Sequence, residues 1–284
     1  MIISATSHTM KNIWRFFLVI FLFITLLFVV LTNGVRIENL KLPKVKISQL
    51  YIKLDKKLIV NIHTLDVDVQ SKRNSSLEEI HDFTNKKPYL HAIFKSISIQ
   101  NIIYDNKTVH FLYKDEGFYV NSDFLTIDAR LRDWEDSIEV DIQQMILKDF
   151  KIEFKGNLQA KLKEKLFDFR GNFKTFNVEG GIELRIDKKE LYYRLNTKKF
   201  TTLKPFMDFL SHKVDLEPLI AAWIYKKIVA DEYQLHNFEG KFNLDTYDFY
   251  PNLMKGNATT KNAIVKFDEN APSALVNDLN VILK

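Results

Sequence analysis

Cysteine is absent from this 284-residue chain, which excludes disulfides, thiolate metal sites and a cysteine nucleophile. Glycine and proline are scarce, at 8 and 6, so collagen-like and low-complexity architectures are excluded as well. Tryptophan is rare, at 3, but phenylalanine is plentiful, at 23, and supplies apolar bulk. No charge of one sign is concentrated anywhere. The 41 basic and 36 acidic residues interleave to a net charge of +5, which reads as a solvated surface and not as a nucleic-acid footprint.

Catalytic constellations are lacking too. The histidines His8, His63, His81, His91, His110, His212 and His236 form no H-E-x-x-H or other close ligand spacing. No G-x-S-x-G elbow, phosphate-binding loop or G-x-G-x-x-G is present. Asp66 and Asp68 fall on one face of a strand and read as its wet side, not a metal site. Arg130, Arg132, Asp133, Glu135 and Asp136 cluster around Trp134 as a charged loop with one anchoring aromatic. The expectation is a protein that is not an enzyme, with no catalytic residue, no cofactor and no metal.

What is there begins with one long hydrophobic run, "KNIWRFFLVIFLFITLLFVVLTNG". From Phe16 to Leu31 it carries no charge. With Ile13 and Trp14 it reaches the ~20 residues that span a hydrocarbon core as a helix. A cleaved signal peptide would have a shorter core and a small-x-small exit. The expectation is an uncleaved, single-pass signal anchor over 13–32. Lys11 and Arg15 keep residues 1–12 in the cytoplasm, and Trp14 sits at the interface. The rest of the chain then lies across the membrane.

From Val35 the apolar pattern is mostly period two with short polar turns, the mark of successive antiparallel strands. No long amphipathic helix interrupts them, so a parallel βαβ architecture is not expected. The insertion Ser71 to Pro88 is polar, with a capping-box spacing at Ser76 and Glu79; it reads equally as one short helix or as a loop. Between 202 and 230 a helical pair is expected. Thr202 caps a first helix with Pro205 in its first turn, and Asp215 caps a second with Pro218. In the second, Leu216, Leu219, Ile220, Trp223, Ile224 and Ile228 form a stripe at steps of three and four, read as helix core. Strands resume over 231–284, and the chain still reads as a strand at Lys284, as in a segment of something longer or a sheet left open at its edge.

Within the β region over 33–201 one irregular spacing recurs: apolar-x-apolar-x-x-apolar-x-apolar. It occurs at Val35, Ile37, Leu40 and Leu42; at Val45, Ile47, Leu50 and Ile52; and at Val60, Ile62, Leu65 and Val67. It returns at Ile97, Ile99, Ile102 and Tyr104, and at Met145, Leu147, Phe150 and Ile152. A one-residue slip turns the following side chains to the other face unless a bulge restores the facing. Either a bulge bends each strand, or the strand crosses between layers. Repeated bulges curl a sheet. Its apolar face then needs a cover: a barrel, a sandwich, or lipid chains in a groove.

These segments carry a resemblance. The anchor followed by "GVRIENLKLPKVKISQLYIKLDKKLIVNIHTLDVDV" looks like the start of an AsmA-like envelope protein. "LEPLIAAWIYKKIVADEYQLHNFEGKF", Leu216 to Phe242, is similar to the helical pair and following strand of the YhdP branch of that family. "NATTKNAIVKFDENAPSALVNDLNVIL" resembles the strand pair after it. Members of that branch are usually several times longer. The resemblance implies a mainly β fold: a long, curled, antiparallel sheet, open like a taco shell, behind an inner-membrane anchor with the bulk of the chain in the periplasm. It implies phospholipid as the partner, with acyl chains in the groove and transport between inner and outer membranes. Other envelope proteins would meet the distal end. The quartets above, Tyr104 excepted, are the expected groove lining. The alternative is an anchored scaffolding β-domain for envelope assembly whose apolar face is ordinary core.

Overall fold

The computed structural model describes residues 3–67, 91–104, 107–132, 137–161, 164–202, 204–211, 227–246, 248, 250–266 and 272–283. The expected insertion Ser71 to Pro88, Asp68, Asp133 to Asp136 and the second expected helix over 215–226 lie outside these residues. The chain divides into two compact units, one holding α1 and the first six strands, the other the remaining strands.

In the first unit, helix α1 (Ile3–Asn33) has 31 residues. Lys11, Trp14 and Arg15 fall in its first half, where only the backbone is described. Side chains are described from Leu18 onward, and among the described residues no helix is both long and apolar enough to cross a membrane. The helix stops at Gly34, whose N–H donates to the carbonyls of Val30 and Leu31. Its φ of +87° is left-handed, the conformation a helix-ending glycine adopts without steric penalty. The ring of Tyr51 occupies the space a Cβ would need, 2.7 Å from the hydroxyl, so β2 packs directly against the helix exit.

The strands β1 (Val35–Leu42), β2 (Val45–Asp55), β3 (Lys57–Val67), β4 (Phe94–Tyr104), β5 (Lys107–Lys114) and β6 (Gly117–Ser122) pair in sequence order. All these pairs are antiparallel except one, because β3 and β4 run parallel. The expected wholly antiparallel sheet is corrected at this joint. A parallel neighbour needs a crossover of a dozen or more residues, and the chain between Val67 and Phe94 is long enough to supply it.

The second unit is a meander of β7 (Leu125–Leu131), β8 (Ile138–Leu147), β9 (Ile152–Lys161), β10 (Leu166–Thr175), β11 (Val178–Asp187) and β12 (Glu190–Thr197). Helix α2 (Lys204–Ser211) follows. Thr202 Oγ1 accepts from Lys204 N at 3.0 Å, as the capping pattern requires. Beyond it, Ile228 opens the short strand β13 (Ile228–Val229) and does not continue a helical stripe. Then β14 (Glu232–Asn243) pairs β12, β15 (Lys255–Val265) pairs β14, and β16 (Ala274–Leu283) runs along the other side of β15. No pairing joins β16 to β7 among the described residues, so this sheet is open.

The fold is therefore mainly β, built of open sheets with two described helices. The core is thin. Among the described residues no large side chain is fully buried. Strands instead crowd each other through their backbones. Gly156 of β9 faces Gly171 of β10, and a Cβ on Gly171 would stand 2.1 Å from the carbonyl oxygen of Lys155. Gly181 differs, meeting only the Asn196 side chain at 3.1 Å. Gly171→Ala is expected to cost about 2 kcal/mol or more, as buried overpacking does, whereas Gly181→Ala should change stability by less than ~1 kcal/mol. Urea unfolding of the two variants measures both.

Candidate functional site

The slip has a geometry that pairing reveals. Ile37 pairs Leu50 and Leu40 pairs Ile47, with the register unchanged across the slip. The same holds where Leu50 and Ile47 meet Ile62 and Leu65, and where these meet Ile99 and Ile102 across the parallel joint. One residue per strand, Glu38, Gln49, His63 and Gln100, is skipped in these registers, and the four skipped residues lie in line. The slips of β1 to β4 therefore match, and no strand gains a residue on its neighbour at that line. Gln49 takes it up with φ +52°. His63 Nδ1 sits 2.5 Å from Gln100 Oε1 along the line.

β5 decides which way the quartets face. It carries no slip: Val109, Phe111 and Tyr113 alternate without interruption and so share one face. They stand opposite Ile102, Ile99 and Ile97, with a one-residue bulge in β4 between Ile99 and Ile102. Directly opposed residues lie on the same face. Ile97, Ile99 and Ile102 consequently share a face, and the register carries this to Val60, Ile62 and Leu65, to Ile52, Leu50 and Ile47, and to Val35, Ile37 and Leu40. Leu42, Val45 and Val67 close the last row. A crossing between layers is excluded in these strands.

The quartet at Met145, Leu147, Phe150 and Ile152 is corrected. Met145 and Leu147 end β8, Lys148–Phe150 is a single 3-10 turn, and Ile152 opens β9. Phe150 is 49% exposed at that turn. The true copy lies upstream, at Val140, Ile142, Met145 and Leu147, with a bulge at Gln143-Gln144. It stands against the uninterrupted alternation Leu131, Ala129, Ile127 and Leu125 of β7. β9 repeats the test from the other side, with Leu158, Gly156, Phe154 and Ile152. Two further copies went unnoticed in the sequence, though the same spacing marks them: Tyr233, Leu235, Phe238 and Gly240, with a bulge at His236, and Ala274, Val276, Leu279 and Val281. Both contain a weak apolar residue, glycine or alanine, which hides the pattern.

Each unit thus presents one apolar face. In the second, one row runs Leu131, Val140, Leu158, Phe169, Leu184 and Tyr193, directly opposed in turn. The buried residues Leu50, Tyr113, Ala129, Ile142, Ala160, Phe169 and Val178 all belong to these faces. Most quartet side chains are half-buried, and Leu42 is 50% exposed.

The opposite face of the second unit is a lattice of charge. Arg194 binds Glu239 at 3.0 Å and reaches Glu183 at 3.8 Å; Lys241 binds Glu190 at 3.2 Å; Lys174 and Lys198 share Glu179 at 3.2 and 3.1 Å. A depression of about 630 Å³ there is lined by Asp168, Glu183, Asp187 and Glu239 and by Arg170, Arg185, Arg194 and Lys241. Its charges balance, so it reads as solvated surface. Arg132 pairs Asp141, and Asp66 lies 3.8 Å from Lys46. Among the described residues no group of three potential ligands could hold a metal ion. No family model, curated protein or solved structure matches this chain.

The charged face has a pH signature. Hydrogen bonds from Arg194, then Asn237, hold the Glu239 carboxyl below its ordinary range, and Gln144, then Lys155, do the same for Glu153. A carboxyl depressed in the folded state contributes stability above its unfolded value of about 4.3 and loses it as pH falls through the folded value. Glu239→Gln should therefore flatten the acid limb of stability below about pH 4.3 while costing less than ~1 kcal/mol at pH 7, as for an exposed pair. Urea midpoints measured from pH 2.5 to 7 test it; an unchanged acid limb refutes the assignment.

Proposed function

We propose that the apolar faces bind phospholipid acyl chains, and that the protein, held in the inner membrane by α1, contributes to lipid transport through the periplasm to the outer membrane. The observation that carries this reading is an apolar face, aligned residue by residue, with no second layer over it among the described residues. A sheet face of this kind needs apolar cover. Each methylene it takes from water is worth ~0.8 kcal/mol, so a two-tailed lipid recovers on such a face part of what it loses on leaving a bilayer. No chemistry is required, only a continuous apolar surface with its polar headgroup left in water.

Helix α1 supports the anchored half of the reading. Phe21, Phe23 and Leu26 are 68, 64 and 63% exposed, and apolar side chains exposed around a helix call for an apolar surrounding. The resemblance to AsmA-like proteins points the same way. The other reading, an anchored scaffolding β-domain, would have the faces covered by protein.

Native mass spectrometry of the full chain in detergent should detect co-purified phospholipid. Ile47→Lys or Ile99→Lys should abolish lipid loading while circular dichroism keeps the β signal, and Ser98→Lys, between Ile97 and Ile99 on the other face, should retain it. A lipid-free protein that unfolds on either apolar-face substitution would favour an ordinary core.

A further inference from the structure

The exit of α1 sets which end of the first unit's sheet lies nearest to it. β1 starts at Val35, directly after the helix-ending Gly34, and Val35 stands opposite Ile52 of β2. β2 is the strand that packs against α1. The Tyr51 ring covers Gly34, and the Arg36 guanidinium lies 5.7 Å from the centre of that ring. Beyond Ile52, β2 runs on past the exit through Lys53, Leu54 and Asp55, turns at Lys56 with φ +56° and returns as β3 from Lys57. The turn between β1 and β2, at Lys44, lies eight residues from Ile52 in the other direction, roughly 25 Å away at ~3.3 Å per residue.

The near end is basic. Lys53, Lys56 and Lys57 crowd the β2–β3 turn, with Asp55 as its one acid, and Lys95 of β4 reaches that acid at 2.6 Å. Lys56 and Lys95 are exposed. The neighbouring β5–β6 turn is balanced, with Lys114 beside Asp115 and with Glu116 3.3 Å from His91. Apolar residues stand next to the lysines. Leu54 opposes Leu58, and Leu58 opposes Phe94, as the end row of the apolar face; Ile93 beside them is 45% exposed. The far end, at Lys41, Lys44 and Lys46, is basic too, so charge alone does not choose between the ends. Distance does, because attraction to a charged bilayer fades within a Debye length of ~8 Å.

We infer that the β2–β3 turn, with Lys53, Lys56, Lys57 and Lys95, rests on anionic phospholipid headgroups of the bilayer that holds α1. The inference rests on the anchored reading of α1 and adds a lipid class to it, an acidic headgroup in preference to a zwitterionic one. The docked turn holds the row Leu54, Leu58 and Phe94 at the headgroup layer, where the apolar face meets its source of acyl chains.

Because the chain has no cysteine, Lys56→Cys and Lys44→Cys each accept a single fluorophore. The labelled full chains are reconstituted into vesicles of phosphatidylcholine, alone or mixed with phosphatidylglycerol, that carry a headgroup-attached quencher. In the mixed vesicles quenching at residue 56 should be roughly threefold or more that at residue 44, and it should fall towards the residue 44 level in phosphatidylcholine alone or in high salt. Equal quenching at the two positions overturns the inference, and so does quenching at residue 56 that ignores lipid charge and salt. Flotation of the same vesicles at alkaline pH tests the anchor separately. A chain that fails to float overturns the anchored reading and this inference with it, whereas a floating chain with residue 56 unquenched overturns this inference alone.

Discussion

Side-chain facing, propagated by strand register, is the constraint on which the rest of this molecule depends. In a sheet with period two, one misplaced residue sends an entire strand's apolar set into water. The chain breaks the period repeatedly and still keeps one apolar face, because neighbouring strands break it at the same line. Where a neighbour does not, a bulge absorbs the difference. The polar residues at the slip, such as His63 and Gln100, then meet one another. The slip line is thus shared by neighbouring strands, and the apolar residues on either side of it stay in register.

A face assembled this way is uneconomical for a globular protein. Domains normally bury a sheet face under a helix or a second sheet, and here no large side chain among the described residues is fully buried. Stability has to come from other sources: the backbone ladder, close strand approach at the facing glycines Gly156 and Gly171, and many ion pairs across the outer face. Each exposed pair contributes little, but they line adjacent strands in sequence, from Glu153 through Glu179 to Lys241. Charge thus lies on one side and apolar surface on the other. That division is what makes an external apolar occupant physically reasonable.

Much of this was legible in the residues, and the failures have identifiable causes. Period-two alternation marks the strands, and the capping pattern at Thr202 marks the first helix, because both are local. The slip was visible as well, but its consequence was not: whether a slip flips or preserves facing depends on the partner strand, which only the register supplies. The misplaced copy at Phe150 shows the limit sharply. Lys148-Asp149 in a turn and Gln143-Gln144 in a bulge are both polar pairs between apolar doublets, so spelling alone does not separate a turn from a bulge. The copies at Gly240 and Ala274 escaped because small residues occupy apolar positions. The parallel joint escaped because its direction is set by the crossover, not by the residues of either strand.

The parallel joint and the slip are connected. Strict alternation reads the same in both directions, so a regular strand can be reversed without losing its apolar face, whereas an interrupted one keeps its rows only if the interruption is central. The spacing apolar-x-apolar-x-x-apolar-x-apolar reads the same in both directions, so a strand bearing it presents the same rows whichever way it runs. β3 meets β2 antiparallel and β4 parallel, yet Ile62 lines up with Leu50 on one side and Ile99 on the other, and Leu65 with Ile47 and Ile102. The palindrome lets the chain change direction at β4 without disturbing the apolar face or moving the slip line. Strand direction is therefore free at this joint, while the facing is not, and the facing is what the surrounding strands hold constant.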